Sequence, residues 1–138
     1  MKRNSSKRNL IIKFLKFGLV GTSGIAVNMG VLWLLTELAG LYYLISSVIA
    51  IFLSILNNFI WNDRWTWRDR RLPGFRAFWT RFLKFSLVSC VTAYGANWGI
   101  LYCLTRFLNF NYLVANLIGI AAASVLNFIF NHIWTFKT

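Results

Sequence analysis

The chain has 138 residues, of which 58% are hydrophobic and 18% aromatic, and it carries fifteen Lys and Arg against three acidic side chains. This composition lies outside the usual range of soluble domains. A net charge of +12 would suggest nucleic acid as the partner of a soluble protein, but here the basic residues are sorted around long apolar windows. The composition therefore predicts an integral membrane protein and argues against nucleic-acid binding.

Four windows are long and apolar enough to cross roughly 30 Å of hydrocarbon as helices, at about 1.5 Å per residue. They cover about residues 17–38, 43–62, 85–107 and 112–131. Short connections after the first and third windows force antiparallel helix hairpins. The sequence predicts an all-α membrane protein with four transmembrane helices.

The basic residues indicate which ends of these helices face the cytoplasm. Six precede the first window, seven lie between the second and third, and Lys137 follows the fourth, whereas Arg106 alone lies on the other side. Lys and Arg accumulate in cytoplasmic segments of membrane proteins. We therefore expect both termini and the central connection to be cytoplasmic.

The chain is a duplication. One phrase recurs 69 positions later, and its identical members are Asn58, Phe59, Ile60, Asn62, Trp65 and Thr66. A second phrase, F-L-K-F-x-L-V from Phe14, recurs 68 positions later from Phe82. The pattern predicts two parallel two-helix repeats, 10–67 and 80–138, related by a pseudo-twofold axis along the membrane normal. Residues 1–9 then form a mobile basic N-terminus, and 68–79 a basic, aromatic cytoplasmic linker.

Two finer features accompany the duplication. Residues 10–17 and 80–85 mix bulky apolar side chains with basic ones, which predicts short amphipathic segments at the interface before helices 1 and 3. The spacing between equivalent residues also changes from 68 to 69 before Asn28 and Asn97. One repeat therefore carries an extra residue, which a bulge within the helix could absorb.

Small residues recur every third position in the first window, at Gly18, Gly21 and Gly24. This spacing lets membrane helices approach closely, and we expect a packing face there. Glu37 and Arg106 occupy equivalent positions in the two repeats. They are interpreted as interfacial charges, as a pair across the duplication, or as gating residues.

Polar side chains concentrate at helical spacing in the second and fourth windows. Asn58 and Asn62 lie four positions apart, as do Asn127 and Asn131. An unpaired amide in hydrocarbon is costly, so these side chains must face the bundle interior, a partner subunit or a water-filled cleft. They could bind a substrate, join neighbouring helices, or end a helix in the case of Asn62 and Asn131.

Several function classes lack their usual residues. The sequence shows no phosphate-binding glycine loop, metal-spaced Cys and His cluster or paired carboxylates, so we expect no enzyme, catalytic residue, metal or cofactor. Cys90 and Cys103 are thirteen positions apart on one predicted helix, too far apart to form a disulfide. No Asp or Glu lies deep in a window, which disfavours a small multidrug-type exporter driven by protons.

The closing motif N-F-I-x-N-x-x-W-T-[WF] and the opening F-L-K-F-x-L-V, each present twice in a four-span chain, resemble the GtrA-like family of small membrane proteins. The first copy ends in Trp67 where the family pattern has phenylalanine. The resemblance covers about residues 10–136. It implies translocation of polyprenyl-phosphate-linked monosaccharide, such as undecaprenyl-phosphate glucose, to the outer leaflet of a bacterial plasma (inner) membrane. There the sugar would glycosylate O-antigen, teichoic acid or a similar polymer.

An anionic lipid-linked sugar gives the polar residues distinct roles. Cations would attract its phosphate, and amides would bind the sugar or line its route. The predicted phosphate residues are Lys16, Lys84, Arg64 and Arg81, and the predicted sugar residues are Asn58, Asn127, Asn62 and Asn131. Since four helices can hardly enclose a route for a hexose, a homo-oligomer or a complex with a glycosyltransferase is expected. The alternative function is a membrane scaffold for a polyprenyl-phosphate glycosyltransferase.

Overall fold

The computed structural model describes residues 2–137, with side chains described from residue 6 onward except that of residue 113, and this part of the chain is almost entirely helical and contains no β-strand. The five α-helices are α1 (Lys2–Trp33), α2 (Tyr43–Trp61), α3 (Phe75–Val91), α4 (Trp98–Phe107) and α5 (Tyr112–Phe130). Wider π-helical turns follow or join them at Leu34–Leu38, Asn62–Thr66, Thr92–Asn97 and Asn131–Thr135, and a short 3₁₀ turn covers Arg68–Arg70.

Four helical runs are long and apolar enough to cross a membrane: Ser6–Leu38, Tyr43–Thr66, Phe75–Phe107 and Val114–Thr135. They confirm the predicted all-α fold with four spans. Large apolar side chains such as Leu19, Ile25, Val48 and Leu117 are more than 60% exposed. Such exposure suits helices surrounded by lipid, which is as apolar as the side chains themselves.

The third span contains the extra residue that the sequence predicted. Its helix is α-helical to Val91, widens into the π-helical turn Thr92–Asn97, and continues as α4. The equivalent part of α1 is an uninterrupted α-helix. A π-helical turn accommodates one more residue than an α-helical turn, so it absorbs the change in spacing from 68 to 69.

The chain divides into two compact units, Met1–Arg71 and Leu72–Thr138. The first contains α1 and α2, and the second contains α3, α4 and α5. Each unit therefore holds one copy of the duplicated sequence. The repeat boundaries and the pseudo-twofold relation between the repeats stay predictions.

Helix packing in the first unit is close at a single member of the glycine series. A Cβ at Gly24 would collide with the amide of Asn58 on α2, whereas Gly18 and Gly21 have no neighbour within 4 Å of such an atom. The Ser54 hydroxyl donates to the Gly24 carbonyl oxygen at 2.8 Å. The predicted packing face thus reduces to Gly24, where a polar contact joins the two helices.

The amphipathic segments are not separate helices. Residues 10–17 lie within α1 and residues 80–85 within α3, both without a break. Helix α1 also includes residues 2–9, which the sequence analysis expected to be mobile. That expectation, like the interfacial location of the two segments, stays a prediction.

The two connections between antiparallel spans share one backbone feature. Gly40 has φ +68° and its equivalent Asn109 has φ +52°, both in the left-handed region. Glycine adopts this conformation freely, and asparagine is among the few other residues that tolerate it. The same tight turn is therefore made by different residues in the two units.

Candidate functional site

The repeated phrase N-x-x-W-T forms a helix-ending turn in both units, which we call the closing turn (Asn62–Thr66 and Asn131–Thr135). The side-chain Oδ1 of Asn62 accepts a hydrogen bond from the Thr66 hydroxyl at 2.8 Å, and its backbone oxygen accepts one from the Trp67 N–H at 2.9 Å. Asn131 accepts the equivalent bonds from Thr135 at 2.7 Å and from Phe136 at 2.9 Å. The motif thus encodes a wide turn held by its own side chains.

The asparagine and the threonine of each closing turn are buried. Asn62 is 1% exposed and Asn131 0% exposed, with Thr66 and Thr135 also buried. Buried polar side chains in proteins almost always have a hydrogen-bond partner, and here the hydroxyl supplies it. The prediction that Asn62 and Asn131 end their helices agrees with this geometry, whereas their contact with a sugar stays a prediction.

The closing turn buries one aromatic ring against the first helix of its unit. Trp67 is 0% exposed and meets Phe17 of α1 edge-on, with ring centroids 6.0 Å apart. Phe136 is 1% exposed and meets Phe85 of α3 in the same manner at 6.4 Å. Because the wide turn shifts the following residue inward, the last aromatic residue of the motif joins the core. The replacement of phenylalanine by Trp67 preserves this contact.

A second aromatic ring of the motif lies nearer the surface beneath a lysine. The ammonium of Lys16 is 5.2 Å from the ring centroid of Trp65, and that of Lys84 is 5.3 Å from the centroid of Trp134. Both distances fall within the range of a cation–π contact. Both lysines are half-buried and both rings remain exposed, so each unit presents a positive charge over an open indole face.

The two predicted phosphate-binding arginines differ in exposure. Arg64 is exposed, and no hydrogen bond or ion pair engages it within residues 2–137. Arg81 is buried and donates to the backbone oxygen of Leu72 at 3.1 Å. Arg64 therefore has a guanidinium open to a ligand, whereas Arg81 serves a contact inside its own unit. The phosphate role of each stays a prediction.

Asn58 and Asn127 are equivalent in sequence but have different surroundings. The amide of Asn58 fills the space beside Gly24, and its Oδ1 is buried without a hydrogen-bond partner among the described residues. Asn127 Oδ1 instead accepts a bond from Nδ2 of Asn131, one turn further along the same span. Asn58 thus lies between two helices, and Asn127 supports the closing turn.

Sequence reasoning missed an ion pair beside the first closing turn. The carboxylate of Asp63 is only 1% exposed and lies 3.3 Å from the Arg71 guanidinium. Its equivalent, His132, contacts the Phe128 ring at 5.8 Å between centroids. The signal was present, since Asp63 is the one acidic residue inside the repeated phrase. The pair ties the linker to the helix end in the first unit.

A second ion pair joins the linker to α1. Lys13 Nζ lies 2.7 Å from a carboxylate oxygen of Asp69. Burial raises the pKa of Asp69, but the hydrogen bond and positive charge of Lys13 outweigh it and hold the pKa below its ordinary value of 3.8.

Within residues 2–137, no three His, Cys, Asp or Glu side chains are grouped to hold a metal ion.

Comparison with known proteins identifies the type of domain. A family described as GtrA/DPMS, transmembrane domain, matches residues 16–137. A Pyrococcus furiosus protein named dolichol-phosphate mannosyltransferase is 41% identical over 93% of this chain. The chain spans only 35% of the length of that relative. The uncharacterized membrane protein YngA of Bacillus subtilis is 28% identical over 88% of this chain and 77% of its own length.

The match to the family covers most of the chain. The structure has four helical runs long enough to span a membrane, and the repeated closing motif forms a turn in each unit. The chain therefore belongs to the GtrA/DPMS transmembrane domain family.

Proposed function

We propose that this protein moves a polyprenyl-phosphate-linked monosaccharide, such as undecaprenyl-phosphate glucose, from the inner to the outer leaflet for glycosylation of O-antigen, teichoic acid or a similar cell-surface polymer. The name of the archaeal relative joins a polyprenyl phosphate with a sugar, which supports this class of lipid. The observation that carries the proposal is the lysine ammonium that lies over the indole of each closing turn.

The lysine and the indole supply two kinds of contact that such a head group needs. A lysine ammonium attracts a phosphate as a point charge, and an indole face packs against a sugar ring or a prenyl chain. Lys16 and Lys84 provide the charges, and exposed Arg64 adds a third in the first unit. The closing turns keep each indole in place beneath its lysine.

The four asparagines have two different roles in this proposal. Asn58 and Asn127 are half-buried within the spans and line the route of the sugar. Asn62 and Asn131 are fully buried and bonded to threonine, and their hydrogen bonds position the lysine and indole groups. Arg81 anchors the start of the second unit and adds to the positive potential that draws the phosphate.

The proposal assigns no chemical step to the chain, which acts as a carrier and not as an enzyme. Exchange runs downhill, drawn by consumption of the lipid-linked sugar in the outer leaflet. Four helices can hardly enclose a route for a hexose across the membrane, so the protein works as a homo-oligomer or with a glycosyltransferase. It resides in a bacterial plasma membrane with both termini in the cytoplasm.

Cysteine labelling tests this orientation. In a background with both native cysteines replaced by serine, a cysteine at Lys7 reacts with an impermeant maleimide only after the membrane is opened. A cysteine at Leu108 reacts in intact cells. Labelling of position 7 in intact cells would reverse the topology and the proposed direction of transport.

Leaflet exchange of a labelled polyprenyl-phosphate glucose in vesicles tests the site. Replacing Lys16 and Lys84 by glutamine removes two phosphate contacts, and we expect the initial rate to fall by about tenfold or more. The control replaces Lys7 and Arg8, which are exposed, and removes the same net charge. Equal rates for both double variants would exclude the lysines from phosphate recognition.

A second function, a membrane scaffold for a polyprenyl-phosphate glycosyltransferase, is favoured by one observation. The archaeal relative named a mannosyltransferase is nearly three times as long as the region this chain matches. A domain that forms part of a longer protein in one organism can bind a separate partner in another. The linker, with Arg68 exposed and Arg71 tied to Asp63, offers the docking surface. Loss of transferase co-purification on replacing Arg70 and Arg71 supports this function.

A further inference from the structure

Each unit contains a cleft at the start of its last α-helix, whereas the closing turn follows the end of that helix. The second unit holds a cavity of about 980 Å³ at the end of α4 and the start of α5, which we call the Arg106 cleft. The first unit holds one of about 440 Å³ around Glu37 and the start of α2, the Glu37 cleft. Among the residues with described side chains, each residue lining the Glu37 cleft has its equivalent, 69 positions later, in the Arg106 cleft. The clefts are therefore copies of one site.

The copies have diverged in chemistry at a few positions. From the first unit to the second, the equivalent lining residues change from Met29 to Trp98, Trp33 to Tyr102, Glu37 to Arg106 and Ser47 to Asn116. The left-handed turn residue changes from Gly40 to Asn109, which places an amide at the rim of the Arg106 cleft. The second copy has gained a guanidinium and two amides, and its volume is more than twice as large. Each copy has one indole, but it lies at Trp33 in the first and at Trp98 in the second, which are not equivalent positions.

The groups that line the Arg106 cleft are complementary to a sugar phosphate. A guanidinium binds phosphate through paired N–H donors, amides exchange hydrogen bonds with hydroxyls, and an indole face stacks on a sugar ring. Arg106 is exposed, and no ion pair or hydrogen bond within residues 2–137 engages it. Its equivalent in the first unit is Glu37, whose carboxylate would repel a phosphate. The Glu37 cleft therefore does not favour an anionic ligand.

We propose that the Arg106 cleft binds the phosphate-linked sugar head group of a prenyl lipid, as a second site at the far end of the second unit. Arg106 follows Lys84 by 22 residues along the helical run Phe75–Phe107, which corresponds to about 33 Å. That length matches the hydrocarbon thickness of a membrane. The inference rests on the proposed function for its ligand. It provides a binding site for the transported head group at the end of the span opposite Lys84.

Photoaffinity labelling locates the site without requiring transport. The purified protein is irradiated in detergent with a short-chain prenyl-phosphate glucose that carries a photoreactive group, and the labelled peptides are mapped. We expect labelling within residues 98–116 and none above background within 29–47. Replacing Arg106 by glutamine should lower labelling of 98–116 by about ten- to a hundredfold. Arg106→Lys retains a charge and should recover part of the signal.

Matched variants and competitors separate the outcomes. Glu37→Gln, at the equivalent position, should leave labelling of 98–116 unchanged, and Trp98→Met and Asn116→Ser, which restore residues of the first copy, should each weaken it. Unlabelled prenyl-phosphate glucose should compete, whereas phosphatidylglycerol and free glucose should not. Labelling of 98–116 that survives Arg106→Gln, or that phosphatidylglycerol removes equally well, would overturn the sugar-phosphate site. Labelling at 98–116 without any leaflet exchange would instead refute the proposed function and leave the site intact.

Discussion

The closing turn predicts a measurable loss of stability when its threonine hydroxyl is removed. Thr66→Val keeps the shape of the side chain but leaves Oδ1 of Asn62 without its donor, and Thr135→Val does the same to Asn131. Because valine and threonine are close in volume, the substitution tests the hydrogen bond and adds little cavity. Each variant should unfold more easily than the wild type.

The size of the loss follows from the burial of the pair. Leaving a buried acceptor unpaired costs about 1–3 kcal/mol, whereas hydrogen bonds between membrane helices average about 0.6 kcal/mol. Asn62 is 1% exposed and Thr66 2% exposed, so water cannot replace the hydroxyl and the larger range applies. We expect about 1–2 kcal/mol for each threonine. The double variant should lose about twice as much, since the two pairs lie in separate units.

The assay is reversible unfolding in bicelles, followed by steric trapping or by a denaturant. Thr80→Val is the matched control, because the Thr80 hydroxyl is exposed and, among the described residues, bonds only to the Arg76 carbonyl of its own helix. That control should change the free energy of unfolding by less than about 0.5 kcal/mol. If Thr66→Val and Thr135→Val were no less stable than Thr80→Val, the motif would not owe its form to this hydrogen bond.

Two further predictions concern packing and pH. Gly24→Ala should lower stability by about 1–3 kcal/mol, because a Cβ there collides with Asn58, whereas Gly18→Ala should be neutral or stabilising; thermal unfolding in detergent compares them. Because the pKa of Asp69 is lowered in the folded protein, its ion pair with Lys13 stabilises the fold above pH 3.8 and is lost as the pH falls below that value. The contribution is at most about 1 kcal/mol, since Asp69 is 61% exposed. The stability difference between wild type and Lys13→Gln should therefore be present at pH 6 and absent near pH 2; a constant difference would contradict the ion pair.

The four spans and the presence of an extra residue in one repeat followed from sequence. Apolar length alone located four helices, and the change in spacing before Asn28 and Asn97 predicted the extra residue, which the structure places in the π-helical turn of the third span. Both features depend on local or periodic properties of the chain. For the same reason the end of each second helix at Asn62 and Asn131 was predictable from polar residues at helical spacing.

The surroundings of the repeated residues were not predictable, because they depend on what lies opposite. Asn58 and Asn127 are identical in sequence position, yet Asn58 fits against Gly24 and Asn127 bonds within its own span. The residue equivalent to Gly24 is Thr92, whose hydroxyl donates to the Val88 carbonyl oxygen of its own helix. The two amides therefore belong to units that differ at this position.

The aromatic residues of the closing phrase show the same limit. Trp65 and Trp67 are two positions apart and chemically equal, but the first is 41% exposed and the second is 0% exposed. Residues two positions apart point to nearly opposite sides of a helix, but the sequence does not say which of the two faces the core. The path of the π-helical turn Asn62–Thr66 sets these directions, and its hydrogen bonds become visible only when the backbone path is known.

Leaflet exchange by the purified protein is the decisive measurement for the proposed transport. Vesicles containing only this chain, with labelled undecaprenyl-phosphate glucose in one leaflet, are compared with protein-free vesicles of the same lipid composition. We expect exchange to rise in proportion to the number of protein copies and to fall in the Lys16→Gln/Lys84→Gln variant. Exchange equal to that of protein-free vesicles, from protein shown to be folded, would contradict transport by this chain and favour the scaffold.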